Sequence, residues 1–248
     1  MKNILTVNIG NTSCSFVVFS SNNISFEMKF PSKDFQKRKQ DLDKINKPGL
    51  AIGVISSVNP VLEKMIRTYF SKKNIKTFQI SYKNKLNFKN KYIEPGKLGS
   101  DRIANLAGAT DLFKGDRIII DSGTAITIDG LNSDNKFIGG IIIPGRILQS
   151  RSLHSFTKLL PEINLDLNVK FPGLNTKECI SAGVNFQAEF GVKGIIKEFK
   201  KYFKTNPKII ATGGDISIFN NIKNIKYINN LTHFGLRKIY QLNKNKFV

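Results

Sequence analysis

The stretch "ILTVNIGNTSCSFVVF", Ile4 to Phe19, joins two apolar runs through a short polar turn. The turn is Asn8-Ile9-Gly10-Asn11-Thr12, and its glycine lets backbone N–H groups point at a phosphate without a side chain in the way. Asn11 and Thr12 add short polar donors. Ordinary hairpin turns use the same residue types. The stretch therefore predicts two strands that are joined by either a phosphate-binding loop or a plain hairpin turn.

A later part of the chain repeats this plan. The stretch "RIIIDSGT", Arg117 to Thr124, is again an apolar strand that ends at a glycine turn, and "AITIDGL" and "KFIGGIIIPG" are predicted as the next two strands. In the same way, "KIIATGGDIS" from Lys208 matches "LAIGVISSV" from Leu50. We therefore predict an α/β fold of two duplicated halves, in which Asn8-Ile9-Gly10 corresponds to Asp121-Ser122-Gly123.

Helices are predicted between these strands. Pro60 opens an amphipathic helix, Thr176 begins a long one, and the polar stretch from Lys33 to Lys47 predicts a surface helix. The halves are predicted as an N-terminal domain, residues 1–113, and a C-terminal domain, residues 114–248. Because ligands bind at strand ends in the crevices of open α/β sheets, we expect both turns at one cleft.

The carboxylate of Asp121 strengthens the phosphate interpretation. It follows three isoleucines, so it projects from a buried strand end, where a cation or strong donors must offset its desolvation. Either glycine turn alone is weak support for a phosphate site, and two at corresponding positions favour a phosphate site over two plain hairpins.

The composition excludes several classes of protein. No apolar run among the 248 residues reaches the roughly 18–20 residues of a bilayer span, so we expect a soluble cytoplasmic protein. Two cysteines, Cys14 and Cys179, are too few for a disulfide framework or a metal cluster. His154 and His233 lack ligand-like spacing and are predicted to be ordinary surface or core residues.

The net charge of +21 suggests nucleic acid as one kind of partner. The lysines, however, are spread from Lys2 to Lys246, and no known nucleic-acid-binding signature accompanies them. A lysine-rich composition or an anionic small substrate also explains the charge, and nonspecific contact with nucleic acid at low salt stays open.

Two further kinds of motif carry possible chemistry. In "EPGKLGSDRIANLAGA", Glu94 to Ala109, Ser100 and Asp101 suit a helix N-cap, and Arg102 offers a planar fork for a carboxylate or phosphate. The alternative is a capping aspartate beside an exposed arginine. In "GGIIIPG", Gly139 to Gly145, adjacent glycines mark close approach by a ligand or another backbone. "TGGD", Thr212 to Asp215, either admits a flat adenine ring or is a plain turn.

Together, "NIGNT", "GSDRIAN", "DSGTAITID", "GGIIIPG" and "TGGD" resemble the type III pantothenate kinases of the actin-like ATPase and sugar kinase superfamily. The matching segments follow the family's order from Asn8 to Asp215. The resemblance implies two duplicated actin-like (ribonuclease H-like) domains with an interdomain cleft. It also implies ATP-dependent phosphorylation of the terminal hydroxyl of pantothenate, which is the first step toward coenzyme A. Mg²⁺, a monovalent cation (K⁺ or NH₄⁺) and a homodimer are implied as well, without a membrane or a specific nucleic acid.

The resemblance also implies roles for individual residues. Gly99, Ser100, Asp101 and Arg102 would hold pantothenate with Tyr92 beside them, and Asp101 would accept the proton of the attacking hydroxyl. Asp121 would bind the monovalent cation, and Thr176 would reach the substrate of the partner subunit. The ATP phosphates would contact Thr124 and the first turn with its following strand: Asn8, Ile9, Gly10, Asn11, Thr12, Ser13, Cys14 and Ser15.

Position 8 departs from the family's pattern, which has an aspartate that holds hydrated Mg²⁺. Asn8 keeps the shape and one carbonyl oxygen but lacks the charge, and Mg²⁺ prefers carboxylates and water. Either the ATP phosphates, water and another carboxylate such as Asp121 hold the ion, or the chain is a degenerate kinase-fold protein with an ATP-binding, regulatory or nucleic-acid-binding role. We prefer the first outcome because Asp101 and Arg102 are present.

Overall fold

The computed structural model describes residues 3–45 and 50–246, which form two compact units. The first unit contains the described residues within 1–113, 135–137 and 230–248, and the second contains residues 114–134 and 138–229. Each unit is built on one five-stranded sheet with helices, which confirms the predicted α/β class. The predicted domains, residues 1–113 and 114–248, are continuous and do not include the placement of residues 135–137 and 230–248 in the first unit.

The sheet of the first unit has the strand order β3-β2-β1-β4-β5. Strands β1 and β2 are antiparallel, as are β2 and β3, whereas β4 runs parallel to β1 and β5 runs parallel to β4. The interiors of β1 and β2 are buried because helices and loops cover the sheet. The strands are β1 (Asn3–Ile9), β2 (Ser13–Ser20), β3 (Asn23–Pro31), β4 (Leu50–Ser57) and β5 (Lys76–Gln79).

The sheet of the second unit has the strand order β10-β9-β6-β7-β8. Strands β6 and β7 are antiparallel, β9 runs parallel to β6, and β10 runs parallel to β9. The first sheet, taken from its other edge, has the same order, and its three corresponding pairs β1–β2, β1–β4 and β4–β5 have the same directions, so the predicted duplication is present. The strands are β6 (Arg117–Ser122), β7 (Ala125–Leu131), β8 (Phe137–Pro144), β9 (Lys208–Gly213) and β10 (Ile225–Tyr227).

The helices follow the apolar periodicity with one exception. The helix from Pro60 and the long helix from Thr176 are confirmed, and the first begins with Asn59 as its N-cap, whose side chain accepts a hydrogen bond from Leu62 N. The predicted surface helix from Lys33 to Lys47 is divided into short helical segments, a 3-10 helix (Ser32–Asp34), an α-helix (Phe35–Arg38) and a second 3-10 helix (Lys39–Ile45), and residues 46 and 47 lie outside the described chain. The helices are α1 (Phe35–Arg38), α2 (Pro60–Ser71), α3 (Ser100–Leu112), α4 (Arg146–Phe156), α5 (Thr176–Phe203) and α6 (Leu231–Leu242).

The segment after β3 is not fully solvated, because three of its apolar side chains are buried. Phe35, Leu42 and Ile45 all belong to the core of the first unit. Their spacing of seven and three residues suits one helical face, and this face is the buried one.

Helices α3 and α6 pack backbone against backbone within the first unit. A Cβ atom at Gly235 would lie 1.8 Å from Ala104 O, and one at Gly108 would lie 2.5 Å from Leu231 O. Thr232 Oγ1 donates a 2.7 Å hydrogen bond to Asn105 Oδ1 at the same contact. The C-terminal helix therefore belongs to the first unit because two glycines allow this close approach.

Within the described residues, no helix is long and apolar enough to cross a membrane.

Candidate active site

The first glycine turn joins β1 to β2 and is held by backbone contacts from two sides. Gly10 N donates to Ser13 O (2.9 Å) inside the turn. From the segment after β3, Ser32 N donates to Thr12 O (2.9 Å) and Ser32 Oγ donates to Gly10 O (2.9 Å). From the end of β4, Val58 N donates to Ile9 O (3.0 Å). The turn thus exposes Asn11 and Thr12 on a fixed backbone.

Two residues predicted to bind ATP have side chains in the core. Ile9 and Cys14 are fully buried. Cys14 Sγ lies 3.8 Å from Phe30 O, and burial raises the pKa of the Cys14 thiol to about 12. Within the turn, therefore, only the backbone of these two residues can face a nucleotide.

His233 of α6 supports the strands on both sides of the first turn. Its ring is buried, and its two nitrogens lie 2.8 Å from Thr6 Oγ1 and 2.8 Å from Ser15 Oγ. Because the Thr6 hydroxyl donates its proton to Val17 O (3.1 Å), His233 Nδ1 must carry the proton that Thr6 accepts, and Nε2 accepts from Ser15. Burial first, and then the nearby Lys29, lower the pKa of His233 to about 3, so the ring is neutral. His233 is thus a core residue, as predicted, and the Ser15 hydroxyl is engaged by it.

The second glycine turn joins β6 to β7 and is one residue shorter than the first. Three residues separate the paired Ser122 and Ile126, whereas four separate the paired Ile9 and Cys14. Gly123 N donates to Ala125 O (3.0 Å) and closes the turn. Asp121, which corresponds to Asn8, is partly buried at the end of β6.

Two glycines approach the second turn closely. A Cβ atom at Gly145 would lie 2.2 Å from Gly123 O, and Gly145 N donates to Thr124 O (2.9 Å). Gly213 has a φ of +108°, and a Cβ atom there would lie 2.3 Å from Ser122 O and 2.7 Å from Asp121 Oδ1. The glycines of "GGIIIPG" and "TGGD" at these two positions thus admit a neighbouring backbone, which at Gly213 favours the alternative of a plain turn over space for an adenine ring.

Ser100 anchors the start of α3 to the end of β4. Its hydroxyl donates to Ser57 O (3.1 Å) and accepts from Ser57 N (2.9 Å), and it lies 3.0 Å from Ser56 Oγ. The N-cap of α3 is Gly99 rather than Ser100 or Asp101, which are its first two helical residues. The Ser100 side chain therefore fixes the helix start instead of capping it.

Asp101 lies in the first turn of α3, where the helix dipole favours a carboxylate. Its Oδ1 accepts a 2.7 Å hydrogen bond from Arg102 N, and the residue is only partly buried. The fixed backbone of Gly99 and Ser100 thus presents a carboxylate that solvent can reach.

Arg102 is buried and lies against two aromatic rings, which corrects the alternative of an exposed arginine. It is 6% exposed, and its guanidinium carbon lies 5.7 Å from the ring centroids of both Tyr92 and Phe137. The two rings are themselves stacked with centroids 6.0 Å apart. The structure thus brings together Tyr92 and Arg102, two predicted substrate residues, with one that the sequence analysis missed, Phe137.

Thr176 lies in the second unit at the first position of α5 and is exposed. It lines a cavity of about 610 Å³ together with Asn175, Gln187 and mostly apolar neighbours. Asn175 caps α5 by accepting a hydrogen bond from Glu178 N (3.0 Å), which leaves the Thr176 side chain available at the cavity.

The sequence analysis also missed a buried polar cluster in the second unit. The Arg146 guanidinium donates two hydrogen bonds to the Asp215 carboxylate, one of them 2.8 Å from Nε to Oδ2. Its Nη1 donates to Asn185 Oδ1 (2.7 Å). The arginine after "PG" and the last residue of "TGGD" were the only signals, and the two lie too far apart in the chain to suggest a pair.

The described residues contain no group of three or more His, Cys, Asp or Glu side chains that could hold a metal ion. Mg²⁺ therefore fits this chain as part of the ATP complex, in which the phosphates supply most of the oxygen ligands.

Comparison with known proteins gives the family. A sequence model of the type III pantothenate kinases matches residues 4–198. A type III pantothenate kinase from Christiangramia forsetii is 34% identical over 245 residues, which are 98% of this chain and 99% of that protein. One from Flavobacterium johnsoniae is 33% identical over 242 residues, which are 96% of this chain and 97% of that protein.

Solved structures support the fold alone. A conserved protein assigned to the Baf family of transcriptional activators, from Campylobacter jejuni, has a TM-score of 0.62 and 24% identity, with 97% of this chain and 99% of that chain covered. MreB5 of Spiroplasma citri, solved with ADP, has a TM-score of 0.53 and 11% identity, with 98% and 99% covered. The duplicated sheets, the two glycine turns and the full-length relatives lead to one conclusion: the chain belongs to the type III pantothenate kinase family.

Proposed function

We propose that this protein transfers the γ-phosphate of ATP to the terminal hydroxyl of pantothenate, in the cytoplasm, with Asp101 as the residue that aims the hydroxyl. The observation that carries the proposal is the start of α3, where Ser100 ties the helix to β4 and Asp101 stays accessible. Membership of the family supplies the substrates.

Phosphoryl transfer passes through a loose transition state, so positioning and charge neutralisation dominate catalysis. Asp101 orients the attacking hydroxyl and takes its proton late. Gly99, Ser100 and Arg102 bind pantothenate, whose carboxylate suits an arginine that is already ordered against the stacked rings of Tyr92 and Phe137. The ordered rings reduce the entropy that Arg102 loses when the substrate binds.

The two turns bind the ATP phosphates in this proposal. The first contributes the residues from Asn8 to Ser15, mainly through backbone N–H groups and the exposed Thr12, and the second contributes Thr124. Asp121 holds a K⁺ or NH₄⁺ ion. Because Asn8 has no charge, Mg²⁺ is held by the ATP phosphates and water, and we expect a high requirement for Mg²⁺.

A homodimer completes the site, because Thr176 would reach the substrate of the partner. Exposed apolar side chains support this proposal. Leu174, which lines the cavity, is 87% exposed, and three residues within four positions of lining residues in the sequence are also exposed: Phe156 (89%), Leu159 (92%) and Phe171 (78%). Large exposed apolar side chains of this kind are typical of a surface that another protein covers. A second copy of the chain is the occupant that the family implies.

The dimer can be tested by mixing two inactive variants, Asp101→Asn and Thr176→Asp. If Thr176 acts on the partner's substrate, half of the dimers that form on mixing contain one intact site, so about a quarter of the wild-type activity returns. No recovery in a mixture that light scattering shows to be dimeric would contradict the role of Thr176 across the dimer.

The function is tested by ADP release with Mg²⁺ and K⁺, measured with pantothenate present and absent. We expect release that requires pantothenate and yields a phosphorylated product. Release at the same rate without pantothenate would contradict the assignment of the acceptor, and absence of release would support the degenerate-kinase alternative.

A further inference from the structure

The second glycine turn is held between two chain segments that are far apart in sequence. On one side, Gly145 N donates to Thr124 O (2.9 Å). On the other side, Asp215 N donates to Ser122 O (3.1 Å) and Ser122 Oγ donates to Asp215 O (3.2 Å). The turn therefore keeps its shape only while both segments keep their places.

Arg146 and Asp215 join these two segments to each other. Arg146 follows Gly145 directly, and its guanidinium donates to both oxygens of the Asp215 carboxylate. The side chains are 7% and 23% exposed, so solvent screens the pair little. A bidentate pair of this kind fixes orientation as well as distance. The pair thus closes a ring of contacts around the residues from Ser122 to Thr124.

The same pair connects the ring to α5. Arg146 Nη1 donates to Asn185 Oδ1 (2.7 Å), and Asn185 Nδ2 donates to Asp166 O (2.7 Å). Asn185 is 6% exposed, so the third direction of the guanidinium is also fixed inside the unit. Arg146 cannot rotate away from Asp215 without breaking both contacts.

Among the described residues of the first unit, no such ion pair joins the corresponding segments. Pro31-Ser32-Lys33 follows β3 as Pro144-Gly145-Arg146 follows β8, and Ser32 N donates to Thr12 O as Gly145 N donates to Thr124 O. Lys33, which corresponds to Arg146, is exposed. The residue that donates from the β4 end, Val58, has no charge to pair with it. The pair is therefore an addition to the duplicated plan.

We propose that Arg146 and Asp215 are positioning residues that shape the second turn for the ATP phosphates. This proposal rests on the proposed kinase function. Most of the predicted pantothenate residues lie in the first unit, whereas the second glycine turn, which the pair holds, lies in the second. Loss of the pair therefore raises the KM for ATP and leaves the KM for pantothenate unchanged. A merely structural role would lower the amount of folded enzyme and leave both KM values unchanged.

The test compares Arg146→Met, Asp215→Asn and Arg146→Lys with the wild type. We expect the first two to raise the KM for ATP at least tenfold at an unchanged KM for pantothenate. We expect Arg146→Lys to recover only part of the loss, because lysine keeps the charge without the fork. The double variant should be no worse than the worse single variant, since the two residues act as one unit. The matched control is Lys201→Met, which removes the exposed pair with Glu198 on α5 and should change neither KM.

Unchanged kinetics in folded Arg146→Met and Asp215→Asn would overturn the proposal, as would equal rises in both KM values. If Arg146→Met does not fold, Arg146→Lys decides by the same criterion. If the wild type shows no pantothenate-dependent ADP release, the proposed function fails. Calorimetric titration with MgATP then tests the role of the Arg146–Asp215 pair alone. Weaker ATP binding by Arg146→Lys supports this role, and binding equal to that of the wild type overturns it.

Discussion

The two glycine turns occupy the same place in two sheets of the same topology, yet they differ in charge and in support. The first begins with the amide of Asn8 and the second with the carboxylate of Asp121. Each is held by one segment that follows the third strand and one that follows the fourth. In the second unit a buried ion pair joins these segments, and at the first turn a neutral histidine supports the strands instead.

The two duplicated units thus share their backbone contacts around the glycine turns and differ in their side-chain contacts. Contacts that need only backbone, such as Ser32 N to Thr12 O and Gly145 N to Thr124 O, occur in both units. The ion pair that joins the two supporting segments, Arg146 with Asp215, occurs in the second unit. Under the proposed function, the second turn would supply charged and rigid contacts to the ATP phosphates, and the first would supply neutral donors.

The largest effect is expected from filling the space beside the second turn. Gly145→Ala would place a Cβ 2.2 Å from Gly123 O, where backbone must move, so we expect a loss of about 3 kcal/mol or more in the free energy of unfolding. The measurement is urea unfolding followed by circular dichroism. The matched control is Gly194→Ala in α5, which meets no atom within 4 Å and should stabilise by about 0.5–1 kcal/mol. Equal stability of the two variants would contradict the close approach.

A smaller but selective effect is expected when the second turn is made like the first. Asp121→Asn removes the carboxylate assigned to the monovalent cation, and we expect kcat/KM for ATP to fall about a hundredfold. Stimulation by K⁺ should disappear at the same time. The measurement is ADP release in Tris buffer with and without K⁺. Full stimulation by K⁺ in the variant would contradict the assignment of Asp121 to the cation site.

The reverse change, Asn8→Asp, should make the first turn charged like the second. A carboxylate at position 8 supplies an oxygen ligand that Mg²⁺ prefers, so we expect the Mg²⁺ concentration for half-maximal activity to fall about tenfold. The KM for ATP should fall with it. If neither value falls, our account of position 8 is wrong.

A separate effect, on stability rather than on activity, concerns the neutral support of the first turn. Burial lowers the pKa of His233 to about 3 in the folded protein from 6.5, so its contribution to stability is complete above pH 6.5 and is lost as the pH falls. The loss between pH 7 and pH 5 should be about 2 kcal/mol in the free energy of unfolding. His233→Gln keeps polar atoms toward Thr6 and Ser15 without titrating in this range, and its stability should change less over the same interval. Parallel pH curves for both proteins would refute the buried neutral ring.

The sequence predicted the duplicated plan because strand periodicity and turn glycines are local signals. It did not predict β5 and β10, since strands of four and three residues carry too short a pattern to distinguish from loop. The helix predicted after β3 is divided into short 3-10 and α segments, a division that the sequence pattern does not reveal.

At the candidate site, the residues that the sequence missed act over long separations. Arg146 pairs with Asp215, and Arg102 lies against Phe137, contacts that no local pattern announces. The place of α6 depends on Gly108 and Gly235, whose close approach is a property of the folded chain. The local sequence motifs therefore predicted the glycine turns, whereas the contacts that support the turns became visible only in the folded structure.

The most direct test of the central claim measures phosphorylated pantothenate by mass spectrometry for the wild type and for Asp101→Asn, with MgATP binding to both followed by calorimetry. We predict that the wild type forms the product, and that the variant binds MgATP with similar affinity while its turnover falls by a factor of about a hundred or more. Comparable turnover by the variant, or no product from a wild type that binds MgATP, would contradict the account.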